Sequence, residues 1–174
     1  MELMKKTIND QKYSFVPNAN LKNANLKNAN LTHVDLSGAN LQHANLNRAF
    51  LFEADFSGAN LRKSDLSHSR LNDANLSGAD LRESNLKNAL LKRVKFQNAD
   101  LQGADLHDAD LAGANLSNAN LSEVVLDKAD LSKALLIGAN LSGVDLRLAN
   151  LSGADLSDVK TDSHTRFPRG IDLD

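Results

Sequence analysis

The chain has 174 residues, enough for one domain with a real core. Its charge is nearly balanced, 20 Lys and Arg against 22 Asp and Glu, which argues against a general nucleic-acid binder because such proteins carry a basic excess. The absence of cysteine removes disulfides, thiolate nucleophiles and Cys-ligated zinc together.

Residues 1–18 stand outside the pattern that fills the rest of the chain. Met1, Met4 and Ile8 fall at near-helical spacing, and Tyr13, Phe15 and Val16 follow. The expectation is an N-terminal cap, a short helix or turn lidding what comes next, with Ser14 to Asn18 as a degenerate first repeat. Pro17 lacks an amide donor and so suits an edge. The segment has no uncharged stretch long enough for a signal-peptide core. No run in the chain approaches the roughly 18 apolar residues of a membrane-spanning helix. With cysteine absent, these features fit a cytoplasmic protein with no membrane partner.

From Ala19 to Asp158 the chain repeats every five residues. Every fifth residue from Leu21 to Leu156 is Leu, broken only by Phe56 and Phe96, which makes 28 centres with no slip in phase. Two residues before each centre sits a small side chain, nearly always Ala; one before sits Asn or Asp, with six exceptions. A helix would smear these leucines around its surface, since each step of five turns it about 140° net. A straight strand would point alternate leucines to opposite faces. The pattern works if the chain turns a corner every five residues, so that each Leu points to a common axis. Four sides make a coil of 20 residues, and coils stack at the sheet spacing of roughly 4.8 Å. Seven coils would make a rod of roughly 34 Å.

The residue types fit that geometry. Leu and the preceding Ala point inward, and Asn or Asp hydrogen-bonds nearby backbone to hold the bend. The two variable positions after Leu face solvent, and Gly38, Gly58, Gly78, Gly103, Gly113, Gly138, Gly143 and Gly153 fall in the second of them, where a positive φ is wanted. Ser64, Ser69 and Ser84 replace inward Ala, and their hydroxyls are expected to bond the backbone. One coil cannot stand alone, so stability must come from stacking.

Residues 161–174 close the chain as a C-terminal cap or tail, with Phe167, Ile171 and Leu173 able to cover the last coil. The tandem Ala-Asn/Asp-Leu-x-x motif over residues 19–160 resembles the pentapeptide-repeat proteins. The tail Thr165-Arg-Phe-Pro-Arg-Gly-Ile-Asp172 is similar to the ending of many cyanobacterial members, with Ile171 in place of their aromatic residue. The resemblance implies an all-β fold, a right-handed quadrilateral parallel β-helix, a solenoid of about seven coils with terminal caps.

In so regular a scaffold the irregularities carry information. The six departures from Asn/Asp are Phe50, Arg70, Leu90, Lys95, Val125 and Leu135. The first three are twenty apart and so form one column on the third side. Phe52 lies beside Phe50, and Lys92 and Arg93 lie beside Leu90, which makes an apolar patch edged by cations. Leu135 with Ile137, and Val125 with Leu148, suggest smaller patches on the fourth and second sides. Two readings stand: a partner or dimer surface, and drift at tolerant solvent positions. Charge is uneven too. Residues 19–98 hold 11 Lys/Arg and 7 Asp/Glu, net +4; residues 99–160 hold 4 and 10, net −6. Such polarity favours head-to-tail or antiparallel pairing, or is a solvated surface with no dedicated role.

Chemistry is hard to find. The five histidines, His33, His43, His68, His107 and His164, form no column and no ligand spacing. There is no Gly-rich phosphate loop and no nucleophile elbow. A narrow filled rod offers no cleft to perturb a carboxylate pair. No catalytic residue, cofactor or metal site is expected. The leading reading is a non-enzymatic structural or interaction scaffold, monomer or weak homodimer, with an unknown protein partner. The alternative, from the resemblance, is a mimic of duplex DNA that modulates DNA gyrase. Such members look strongly acidic and often carry an aromatic C-terminal helix and interrupting loops, and this chain departs on each point. A supercoiling assay separates the two.

Overall fold

The computed structural model describes residues 4–171; the expectations placed on Met1, the Met4 side chain and Leu173 lie outside the described residues. Parallel bridges join residues twenty apart, beginning with Asn20↔Asn40 and continuing through Asn140↔Lys160. Each bridge rests on two bonds. The Leu41 amide donates to the Asn60 carbonyl at 2.7 Å, and the Asn60 amide donates to the Ala39 carbonyl at 2.9 Å. The same pair recurs along the stack, except between Val125 and Asp145, so a residue meets its own pentapeptide position one coil away.

Between bridges the chain bends at every fifth step. The Ala44 amide donates back to the Leu41 carbonyl at 2.9 Å, closing a four-residue turn. Positive φ falls at the second central residue, as in a type II turn, whether that residue is Gly38 (64°) or Lys63 (57°). Left-handed backbone costs a non-glycine residue about 1–2 kcal/mol, so the ladder and the buried Leu hold these turns against local preference. The Asn/Asp side chain adds a lock. The carboxylate of Asp35 accepts from the Ser37 amide at 3.0 Å, and Asp55 does the same for Ser57 at 2.8 Å. Leucines from Leu26 to Leu146, with Phe56 and Phe96, are fully enclosed along the axis.

The N-terminal cap differs from the expected helix or turn. It is a β-hairpin: β1 (Met4–Ile8) pairs antiparallel with β2 (Gln11–Phe15). The connecting residues Asn9 and Asp10 both have positive φ, 48° and 64°. This two-residue geometry matches strand twist and is favoured by Asn and Asp. Short-range apolar spacing in Met4 and Ile8 suits a helix on paper, but the turn pair decides for strands. The hairpin supplies what a preceding coil would have given. The Asn9 amide group donates to the Asn25 carbonyl at 3.1 Å, Lys6 Nζ donates to the Asn30 carbonyl at 3.0 Å, and the Tyr13 hydroxyl accepts from the Asn25 amide at 3.0 Å. Phe15 is buried over the first leucines.

At the far end Arg166 bridges Asp145, twenty-one residues back, so the tail carries one extra residue. The Asp162 carboxylate takes up the slack. It accepts the Gly143 amide at 3.0 Å, the His164 amide at 2.9 Å and the Thr165 amide at 3.0 Å. The Gly143 amide foremost holds its pKa down at about 2. Phe167 and Ile171, half-buried, pack on the end of the core.

The ladder opens in one place. Among the described residues no bridge joins Val125 to Asp145, and the amides of Leu126, Lys128 and Asp145 find no acceptor. On that side Val124 and Val144 occupy inward slots one coil apart, where earlier coils carry Ala24, Ala44, Ser64, Ser84 and Ala104. Two β-branched side chains stacked in a space made for methyl groups push the coils apart. Single valines do not: with Val34 below Ala54 and Val94 below Ala114, the Asp55 and Asn115 amides still reach the valine carbonyls at 2.9 Å. Leu148 adds to the defect. It sits in the slot that has positive φ in every other repeat and does not adopt it.

Candidate interaction surface

The bridges place Asn30, Phe50, Arg70, Leu90, Asp110, Asp130 and Asn150 in one column on one side of the stack. Phe50 is 37% exposed and Leu90 39%, while Phe52 beside them is half-buried. Arg70 lies between them in the column, and its guanidinium carbon sits 4.9 Å from the centre of the Phe50 ring. That contact is a cation–π interaction, worth about 0.5–1 kcal/mol at an exposed site.

Filling these positions has a structural cost. Phe50, Arg70 and Leu90 bring no side-chain acceptor, so three consecutive coils lose the bend-locking bond made elsewhere by Asn or Asp. The Lys92 amide turns to the Asn72 side-chain oxygen at 3.0 Å, one coil away, in its place.

Leu135 and Ile137 do not join this group. They sit together on the neighbouring side, where Leu135 bridges Asn115, and both are exposed. Phe50, Phe52, Arg70 and Leu90 on one side, and Leu135 and Ile137 on the next, therefore make two separate patches. Val125 and Leu148 are exposed at the ladder opening, Leu148 most of all at 64%.

Two contributors were not singled out in the sequence. Arg48 and His68 occupy the corner next to the column, and with Asn28, Phe50 and Arg70 they line a shallow groove of about 400 Å³. Both residues precede a departure by two positions and are twenty apart, a spacing that the sequence does contain. The cations around the patch differ in their commitments. Lys92 pairs with Asp110 at 3.1 Å, and Arg93 holds Asp73 through a 2.7 Å bond from Nε that keeps that carboxyl below its usual range. Arg48 and Arg70 make no ion pair among the described residues, whereas Arg62, Arg82 and Arg147 all do. The surface thus combines exposed apolar side chains with two uncommitted guanidinium groups.

Among the described residues no cluster of three or more His, Cys, Asp or Glu is arranged to hold a metal ion, and no helix is long and apolar enough to cross a membrane.

The repeat geometry has known counterparts. The profile described as pentapeptide repeats (8 copies) matches residues 18–51 and 125–160, and that of a pentapeptide repeat region matches residues 49–124. The structure of HetL, a pentapeptide repeat protein involved in heterocyst differentiation regulation from the cyanobacterium Nostoc sp. strain PCC 7120, is 33% identical over 90% of this chain and 80% of that one, with a TM-score of 0.60. The chain belongs to the pentapeptide-repeat family. A second relative, the pentapeptide repeat protein Rfr23 from the cyanobacterium Cyanothece 51142, is 34% identical over 55% of this chain and 65% of that one, with a TM-score of 0.54. Comparison with curated proteins finds no match. As a pentapeptide-repeat protein the chain is a repeat scaffold, with its side chains displayed at fixed intervals of one coil.

Proposed function

We propose that this pentapeptide-repeat protein is a non-enzymatic interaction scaffold, a right-handed quadrilateral parallel β-helix of about seven coils that presents Phe50, Phe52, Arg70 and Leu90 to a protein partner. Family membership and the near-universal right-handedness of parallel connections support the handedness. The observation that carries the functional reading is the column itself. Exposed apolar residues stand in register where the repeat elsewhere places bend-locking Asn or Asp, and uncommitted arginines flank them. Contiguous apolar patches on soluble proteins mark contact surfaces more often than chance exposure does, and aromatic and Arg side chains dominate contact energies. The involvement of HetL in heterocyst differentiation regulation is compatible with action by contact rather than turnover. A Phe50→Asp/Leu90→Asp variant tests the reading. It should keep the wild-type circular-dichroism spectrum and melt no lower than wild type while losing self-association or capture of a partner. Unchanged association and capture would overturn it.

A further inference from the structure

From the order of residues along the column, we infer that this face is complementary to itself: two copies of the chain pair antiparallel, with Leu90 at the two-fold axis and Arg70 facing the partner's Asp110. The inference rests on the reading of this column as a contact surface. Leu90 is the fourth of seven residues in the column, with Asn30, Phe50 and Arg70 on one side and Asp110, Asp130 and Asn150 on the other. A two-fold axis lying in the interface, across the stack at Leu90, sets each residue opposite the one equally far beyond the centre. Arg70, which makes no ion pair among the described residues, then meets the partner's Asp110, a contact the axis makes twice, and that carboxylate also holds Lys92 of its own chain at 3.1 Å. On the neighbouring corner His68 meets the partner's Asp108, and on the other Glu53 meets the partner's Lys133. Arg48 falls opposite the partner's Lys128, and Phe50 falls opposite the partner's Asp130, whose carboxylate lies one column inward of Arg48.

Only the antiparallel arrangement has this property. Parallel copies would set each residue of the column against itself, Arg70 on Arg70 and Asp110 on Asp110. The centre of the contact is apolar, Leu90 against Leu90. Lys92 and Arg93 of the two copies also meet near the axis, each paired with a carboxylate of its own chain, Asp110 and Asp73. A self-complementary patch of this kind closes into a dimer and does not grow into a fibre. Its size sets its strength. A stack of roughly 34 Å with walls about 10 Å apart, widened by corner side chains, presents about 500–700 Å² per copy. That falls below the roughly 800 Å² per partner of stable complexes, which makes the dimer weak and concentration-dependent.

The chain contains no cysteine, so Leu90→Cys introduces a single thiol. Under mild oxidation it should give a covalent dimer, while Leu148→Cys, whose two copies would lie about 29 Å apart, should not. Sedimentation equilibrium from about 1 µM to about 1 mM should show dimer formation that weakens with added salt. Arg70→Glu and Asp110→Arg should each weaken it about tenfold, and the two together should restore it. Circular dichroism and a thermal melt verify folding, and the rescue itself shows that the singles failed at the contact. A monomer throughout that range, equal cross-linking at Leu90→Cys and Leu148→Cys, or no rescue would overturn the pairing. Were the chain monomeric while Phe50→Asp/Leu90→Asp abolished capture of a different protein, the contact-surface reading would stand and the pairing alone would fall. Were association and capture both indifferent to that double variant, both would fall.

Discussion

Val144 stands directly over Val124, one coil further along, and the ladder between their outward neighbours Asp145 and Val125 is open. The relationship makes a local prediction. Amides of Leu126, Lys128 and Asp145 should exchange with solvent at least about tenfold faster than the Leu106 amide, which donates to the Val125 carbonyl at 2.8 Å one coil earlier. Val144→Ala combined with Leu148→Gly should slow that exchange by letting the coils close and the turn adopt positive φ. Uniform protection across these coils in the wild type would contradict the account of the opening.

The column of Phe50, Arg70 and Leu90 carries a stability cost that can be recovered. Phe50→Asn and Leu90→Asn should each restore the bond from the side-chain oxygen to the amide two residues on, as Asn40 does for Gln42 at 3.1 Å. Each change should stabilise the fold by about 0.5–1.5 kcal/mol in urea denaturation, while association through that face is lost. Destabilisation by either change would mean that these side chains serve the fold itself.

A buried hydroxyl distinguishes one serine from two others. Ser64 and Ser69 donate to the Leu61 and Leu66 carbonyls, at 2.7 Å and 2.5 Å, as inward serines are expected to do. Ser84 Oγ has no partner, contrary to that expectation. Removing an unsatisfied buried group relieves its desolvation cost, so Ser84→Ala should stabilise by about 1 kcal/mol, and Ser64→Ala should cost about the same. Equal effects of the two substitutions on the denaturation midpoint would refute the distinction.

The tail gives the acid response. The Asp162 carboxylate is held at about 2 by the backbone amides it accepts, Gly143 first, against roughly 3.9 in an unfolded chain. Its contribution is therefore fully present above about pH 4 and is lost as pH falls through about 2. The melting temperature should drop over that window, and Asp162→Asn should flatten the drop. Deletion of residues 162–174 should lower the melt or cause aggregation by uncovering the last coil. A tail-less protein with an unchanged melt would show that Phe167 and Ile171 are not a cap.

Much of this was legible in the sequence because one rule repeats. A leucine every fifth residue admits few geometries, and the twenty-residue offset that follows from it places Phe50, Arg70 and Leu90 in one column, as the bridges do. The side-chain lock was legible for the same reason: Asn and Asp recur at one position with one job. What escaped was set by neighbours, not by period. The hairpin at residues 4–15 depends on two left-handed residues, Asn9 and Asp10, which override the helical spacing of the apolar residues around them. The opening at Val125 lies where two valines stack across twenty residues, whereas the lone inward valines Val34 and Val94 leave the ladder closed. Arg48 and His68 look like ordinary solvent residues until the groove beside Phe50 shows what they line.

The twenty-residue coil is the claim on which the rest depends, and a pulsed electron–electron distance measurement reaches it most directly. With no native cysteine, nitroxides at Ser37→Cys and Ser157→Cys report one pair only. These positions share a column six coils apart, so the account predicts a narrow distribution centred near 29 Å plus the reach of the labels. A broad distribution, or a narrow one displaced by more than about two coil spacings (about 10 Å), would contradict it.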